Sequence, residues 1–308
     1  KNNWYGKATG PYWIKQSWQY YQEHQETFDN LIYGQKVIGP MIDNLDFRTK
    51  SLVADPLIFI PGIMGSEKEM IGSDLVLDPI LHTYDDLIES LEDNGYEKNK
   101  NLFPFPYDWR ISNDLTAEKL EVRIDEIQNE LGNVRVDIAA HSMGGLVARK
   151  YFQEKESLYN VDQFIALGTP HKGSPEAYLK WEAGEGFFGL QGSIAKYHFL
   201  QEAEHNGYDD LHQYIQEQVL SIKELLPDYD YLFDVEDNQT REYPDNYPRN
   251  TFLENLNIPE KLEKLNQIRT YNIVGKTEEN NTLEKIRVVD NVDNVKWEHG
   301  FPENFDDK

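Results

Sequence analysis

This sequence predicts an α/β fold: a mostly parallel central sheet, helices on both faces, and a helical lid inserted between two core strands. Three observations carry the prediction. Short apolar runs bounded by proline or glycine alternate with stretches of helical spacing. A serine, Ser142, follows one of those runs directly, in a turn flanked by small residues. A stretch rich in tyrosine, aspartate and glutamine, about residues 171–257, interrupts the alternation.

The elements follow in order. Residues 1–50 are aromatic and polar (Trp4, Tyr5, Tyr12, Trp13, Trp18) without a clear period, and read as an arm docking on the core. The core begins in residues 51–170. Pro56-Leu57-Ile58-Phe59-Ile60 is a short apolar run of the kind a buried parallel strand needs. Tyr84 to Leu91 has an amphipathic helical pattern closed by Asn94-Gly95. Leu102-Phe103-Pro104-Phe105 begins a second strand. Leu120, Ile124, Ile127 and Leu131 line one face of a helix that Gly132 stops. Val134 to Ala139 and Phe164 to Pro170 are further strands. Residues 171–257, with helical patches at Leu211 to Ile215 and Ser221 to Pro227, form the inserted lid, placed where ligands bind at a sheet edge. Residues 258–308 return to the core through a helix from Pro259 to Leu265 and a strand from Ile268 to Gly275.

The totals bound the chemistry. The chain has 308 residues, no cysteine and a formal net charge of −25. That excludes a disulfide framework, a thiolate nucleophile and a Cys-ligated metal. The acidic balance argues against nucleic acid and against electrostatic docking on anionic lipid, while leaving transient contact with a neutral or zwitterionic lipid surface open. No stretch approaches the length of a membrane span. The first residue is Lys1, read here as the mark of a processed or trimmed product; secreted and cytoplasmic locations both stay open.

Ser142 is the candidate nucleophile. In Ala140-His141-Ser142-Met143-Gly144-Gly145 a strand ends, the chain turns sharply, and a helix starts. Such an elbow usually reads Gly-x-Ser-x-Gly; here Ala140 takes the place of the first glycine. The elbow raises the hydroxyl above the sheet, with the helix N-terminus behind it. A phosphate-binding loop is the competing reading, and it fails because no Gly-Lys-Ser/Thr or Gly-x-Gly-x-x-Gly is present.

Four motifs in order carry a family resemblance. They are Phe59-Ile60-Pro61-Gly62-Ile63-Met64-Gly65-Ser66, Pro106-Tyr107-Asp108-Trp109-Arg110, the Ser142 elbow, and Leu167-Gly168-Thr169-Pro170-His171-Lys172-Gly173-Ser174. Together they resemble the lecithin:cholesterol acyltransferase-like family of α/β-hydrolases, over Pro56 to Pro170 and more loosely over Ile268 to Pro302. The resemblance implies an α/β-hydrolase fold and a serine esterase, lipase or acyltransferase that works on a lipid ester. The resemblance also implies that the amides of Ile63 and Met143 stabilise the oxyanion. The scattered acids form no ligand motif, so no metal or organic cofactor is expected. Asp108 and Arg110 read as a structural ion pair, and Trp109 as either part of that shelf or an acyl-pocket wall. Phe187 and Phe188 suggest an apolar lid tip.

The triad is incomplete in the sequence. The order expected of this fold is serine, acid, then histidine after the last core strand. His171 comes too early for that role, and His141, beside the nucleophile, is read as structural; His198, His205 and His212 are read as lid or surface residues. The family's Gly-Asp-Gly-Thr-like acid loop and later histidine are not found, so the acid and base are expected beyond Lys308. The fallback is His299 as base with Asp290 or Asp293 as acid. A short-chain ester or thioester hydrolase, or a non-catalytic binding protein on the same fold, are the alternative functions.

Overall fold

The computed structural model describes residues 55–68, 74–79, 82–155, 158, 160–275, 283–290 and 295–303. The aromatic arm, residues 1–50, lies outside them, as does Asp293.

The core is a wholly parallel five-stranded sheet in the order β4-β1-β5-β6-β9. These strands are β1 (Leu57–Ile60), β4 (Leu102–Pro104), β5 (Val136–His141), β6 (Val161–Leu167) and β9 (Arg269–Ile273). The hairpin β2 (Ser66–Lys68) and β3 (Leu75–Leu77) stands apart from it. Successive residues of β1 serve opposite faces of the sheet, as the two-residue strand period requires. Ile58 and Ile60 pack with Leu120, Ile124 and Ile127 of α2 (Asn113–Leu131) and with Leu146 and Val147 of α3 (Gly144–Glu154). Leu57 and Phe59 pack with Leu87, Ile88 and Leu91 of α1 (Asp85–Asp93). Helices therefore cover both faces, and β1 is fully buried. Removing any one of these side chains would cost about 2–5 kcal/mol in lost transfer and cavity energy.

Helix α2 starts where Ser112 Oγ accepts the Asp114 amide, and stops at Gly132, which adopts a left-handed conformation with φ of 85°. Glu224 takes the first turn of the same helix, accepting from Ser112 Oγ at 2.7 Å and from the Asn113 amide at 2.6 Å. That carboxylate anchors the insertion to the core.

The insertion holds α4 (Glu176–Ala183), α5 (Gly189–His205), α6 (Leu211–Gln218) and α7 (Leu220–Lys223), then β7 (Leu232–Asp234), β8 (Gln239–Thr240) and α8 (Thr251–Leu256). After α9 (Pro259–Leu265) and β9, the chain adds β10 (Ile286–Val289) and β11 (Phe301–Pro302). These two strands do not extend the core sheet. They join the insertion's strands in a second sheet, β11-β10-β7-β8. The insertion is thus helical in its first part and stranded in its second. Arg149 of α3 ties it down from beneath: its guanidinium donates to the carbonyls of His171 and Leu256 and to Asn257 Oδ1. Burial lowers the Arg149 pKa to about 10, with the Asp228 carboxylate working against the fall.

Candidate active site

Ser142 stands at the C-terminal end of β5, in the middle strand of the parallel sheet. Its backbone is left-handed, with φ of 51°, a conformation that is costly for a residue with a side chain and that concentrates at functional turns. Neighbouring backbone holds it there. The Ser142 amide donates to the Leu167 carbonyl at 2.9 Å, and the Gly145 amide donates back to the Ser142 carbonyl at 3.0 Å.

The glycines around the elbow are dictated by space. A Cβ on Gly144 would lie 2.4 Å from the Pro61 carbonyl oxygen, and one on Gly145 would lie 1.9 Å from Thr169 Oγ1. A Cβ on Gly62 would lie 2.9 Å from Ser142 Cβ, so the loop after β1 passes directly against the nucleophile. The Ile63 amide follows Gly62 in that loop, and the Met143 amide follows Ser142 in the elbow. Among the described residues neither N–H donates to a protein acceptor. Two open backbone donors beside a raised hydroxyl, with a helix N-terminus behind them, suit an oxyanion.

His141 packs against Tyr84. Its Nδ1 is 2.9 Å from the hydroxyl of Tyr84, and burial lowers its pKa. His171 is held by Asn272 Oδ1 at 2.9 Å from Nε2, with Arg149 Nη1 at 3.4 Å from Nδ1. Because Arg149 can only donate, Nδ1 of His171 accepts and Nε2–H donates to Asn272. Burial lowers the His171 pKa as well, and the Arg149 charge adds to that.

The Tyr107-Asp108-Trp109-Arg110 motif forms the ion pair read from the sequence, and more besides. Arg110 binds Asp108 at 3.1 Å, Glu67 at 3.3 Å and Glu202 of α5 at 3.2 Å, and its guanidinium lies 4.4 Å from the Trp109 ring. Glu67 also meets His198 Nε2 at 2.7 Å. Burial would raise the Glu67 pKa, but the His198 hydrogen bond and the Arg110 charge hold it at about 2. His198 therefore does more than face solvent: it joins α5 to the hairpin. Trp109, nearly fully buried, packs on Phe199, and Phe199 on Phe187; Phe188 beside them is half exposed.

His299 is paired with Glu182 of α4, a contact sequence reading missed. Its amide and its Nδ1 each lie 3.0 Å from the Glu182 carboxylate, which is 3% exposed, and its carbonyl accepts from Arg241. Asp290 is exposed, and its amide donates to Glu236. Among the described residues no histidine is hydrogen-bonded to Ser142. The Glu182 contact carries no local signal: 117 residues separate the partners.

One group of carboxylates lies elsewhere. Asp55, Asp137 and Asp162 each offer an oxygen within 4.8 Å of the others. They sit at the N-terminal ends of β1, β5 and β6, opposite Ser142, and Asp162 is paired with Arg135 and Arg269.

The chain is 32% identical over 99 residues to the phospholipase A(1) LCAT3 of Arabidopsis thaliana, covering 31% of this chain and 22% of that protein. It is 30% identical over 134 residues to the phosphatidylcholine-sterol acyltransferase of Mus musculus, covering 42% of this chain and 30% of that one. The matches thus span less than a third of these relatives' length. Among solved structures, a lipase of Bacillus licheniformis in mature form aligns with a TM-score of 0.42 at 16% identity, covering 73% of this chain and 67% of that one. The family model for lecithin:cholesterol acyltransferase matches residues 72–280. That stretch holds the aromatic ion-pair motif, the serine elbow and the insertion, and the chain belongs to the lecithin:cholesterol acyltransferase family.

Proposed function

We propose that this chain carries the nucleophile and the oxyanion donors of a serine enzyme that cleaves or transfers the acyl group of a lipid ester. The left-handed serine at the end of β5, with two open amides beside it, is the observation that supports this most. Ser142 Oγ attacks the ester carbonyl while a base takes its proton. Negative charge on the carbonyl oxygen rests on the Ile63 and Met143 amides. The tetrahedral intermediate collapses, the Ser142 Oγ–acyl bond is kept, and the alkoxide leaves with the proton. Water, or an alcohol acceptor, then attacks the acyl-enzyme by the same steps in reverse. Family membership and the apolar trio Trp109, Phe199 and Phe187 support a lipid acyl group. The base and acid are drawn from outside the described residues, since none of the described histidines bonds to Ser142.

The Glu182–His299 pair supports a second reading, in which His299 is the base and Glu182, rather than Asp290 or Asp293, its carboxylate. Chain order would then run serine, acid, histidine. His299→Ala separates the two: retained turnover removes His299 from the mechanism.

The test is labelling of the full-length gene product with a fluorophosphonate, beside Ser142→Ala. Labelling that vanishes in Ser142→Ala, with turnover extending to long-chain lipid esters, is the expected result. Turnover limited to short soluble esters would overturn the lipid assignment. Labelling unaffected by Ser142→Ala would overturn the nucleophile, and no labelling at all would favour a binding protein on this fold.

A further inference from the structure

The loop after β1 is gripped by two tyrosines from different parts of the chain, and they grip one peptide unit. The Pro61 carbonyl and the Gly62 N–H belong to the same planar group. Tyr107 donates its hydroxyl to the Pro61 carbonyl at 3.0 Å. The Gly62 N–H donates to the Tyr84 hydroxyl at 2.9 Å. Tyr84 is 5% exposed and Tyr107 is 2% exposed, and burial keeps both phenols protonated.

Tyr84 has one proton and spends it on His141 Nδ1, 2.9 Å away. Were His141 the donor instead, the buried phenol proton would need another acceptor, and none is found among the described residues. Tyr84 thus links the loop peptide to the residue preceding Ser142. Tyr107 is fixed in turn, its amide donating to Ser66 Oγ at 3.1 Å at the loop's far end.

The next peptide unit carries the Ile63 N–H. Its carbonyl end, Gly62 O, accepts from the Gly65 amide at 3.0 Å. Gly62 is the joint between the two units. It must lack a Cβ, because one would lie 2.9 Å from Ser142 Cβ, and glycine is the residue whose backbone rotates most freely. A donor that is useful only in one orientation therefore hangs on a glycine joint, and its direction depends on the contacts that hold that joint. Fixed orientation before reaction is what makes an oxyanion donor effective.

We propose that Tyr84 and Tyr107 are positioning residues of the oxyanion hole, together setting the Pro61–Gly62 peptide and through it the direction of the Ile63 amide. The proposal rests on the reading of Ser142, Ile63 and Met143 given above. It explains why the Tyr107-Asp108-Trp109-Arg110 motif begins with a tyrosine, and it assigns a role to Tyr84, which lies in none of the sequence motifs.

The test uses Tyr84→Phe, Tyr107→Phe and the double variant in the full-length gene product, with Ser142→Ala as control. Turnover of an aryl ester is compared with that of its thionoester, whose sulfur is the weaker hydrogen-bond acceptor. Since loss of a whole oxyanion donor costs about 10²–10³ in kcat, each single variant should lose roughly 10–100-fold in kcat with KM nearly unchanged. The preference for the oxygen ester should shrink by a similar factor. The double variant should lose less than the product of the singles, because both hydroxyls hold one peptide. An unchanged oxygen-to-sulfur preference, with turnover still dependent on Ser142, overturns the clamp alone, whether or not kcat falls. Turnover retained by Ser142→Ala overturns the nucleophile and the clamp with it. Should Tyr107→Phe fail to fold, Tyr84→Phe decides, since its ring keeps the edge contact with Phe59.

Discussion

The elbow and the α5 contact lie close together and are held by opposite means. At the elbow the partners are neutral: peptide groups, two phenols and an uncharged imidazole, packed so tightly that three glycines have no room for a methyl group. Where α5 meets the hairpin and the aromatic motif, the partners are charged: Arg110 with Glu67, Asp108 and Glu202, with His198 hydrogen-bonded to Glu67. Neutral close packing is insensitive to pH and intolerant of volume. Partly buried ion pairs tolerate volume and respond to charge and pH. The elbow is fixed by shape, and α5 is held by charge in addition to the Phe199–Trp109 contact.

The sharpest way to break this contrast is to add one carbon at the elbow. Gly145→Ala places a Cβ 1.9 Å from Thr169 Oγ1, and Gly144→Ala places one 2.4 Å from a backbone oxygen. Backbone cannot rotate out of the way as a side chain tip can, so Gly144→Ala should be the worse. Fluorophosphonate labelling should fall by at least about 10²-fold, the scale of a lost oxyanion donor. The accompanying overpacking cost is about 1–3 kcal/mol, read as a lower melting temperature. Wild-type labelling by Gly144→Ala would mean the elbow is softer than its packing suggests.

The charged contact should break differently. Arg110→Met keeps the apolar stem over Trp109 and removes the charge, leaving three carboxylates facing one another. Removing one partner of a buried pair costs about 3–5 kcal/mol, and these groups are 14–37% exposed at the side chain, so a loss of about 2 kcal/mol is the expectation. Limited proteolysis should then cut α5 before the core. Glu67→Gln refines the point through pH. The folded-state pKa of Glu67 is depressed to about 2, so its ionised form contributes stability above the ordinary carboxylate value and loses it as pH falls. The gap in melting temperature between wild type and Glu67→Gln should be widest near pH 7 and narrow as pH drops from 5 toward 3. A gap independent of pH would show that shape, not charge, holds the helix.

The same contrast decides what the sequence revealed. The core strands β1, β5 and β6 were legible because they are apolar runs buried almost throughout, the helices α1 and α2 because each buries one periodic apolar face, and the elbow because its small residues are contiguous. Ser142 is a local fact: its conformation is imposed by residues within three positions and by the adjoining strand. The second sheet was not legible. β7 and β10 pair across more than fifty residues, and each is too short, at three and four residues, to show alternation. The Glu182–His299 and Glu67–His198 pairs were hidden for a related reason, since a lone charged residue does not announce a partner 117 or 131 positions away. Tyr84 was hidden by ambiguity: as the residue before α1 it reads as the start of a helix, and only the folded loop shows what its hydroxyl meets.

The smallest expected effect comes from the far end of β5, where the core departs from its own neutral rule. Asp137 is 1% exposed and receives a hydrogen bond from Gln163 at 2.7 Å, while its Oδ1 has no partner among the described residues. Burial, with Asp55 and Asp162 nearby, raises its pKa to about 7 against the pull of Gln163 and Arg269. A raised carboxyl pKa means the folded state binds the proton more tightly than the unfolded chain does. Asp137 therefore costs no stability at pH below its ordinary value of 3.8, and costs progressively more as pH rises toward about 7. Asp137→Asn keeps an acceptor for Gln163 and removes the charge. It should match wild type near pH 4 and exceed it above pH 7 by about 1–2 kcal/mol, a gain of a few degrees in melting temperature. Labelling at Ser142, at the other end of the strand, should not change. A variant less stable than wild type at pH 8 would mean that the ionised carboxylate has a positive partner there, and that the floor of the sheet, like the α5 contact, is held by charge.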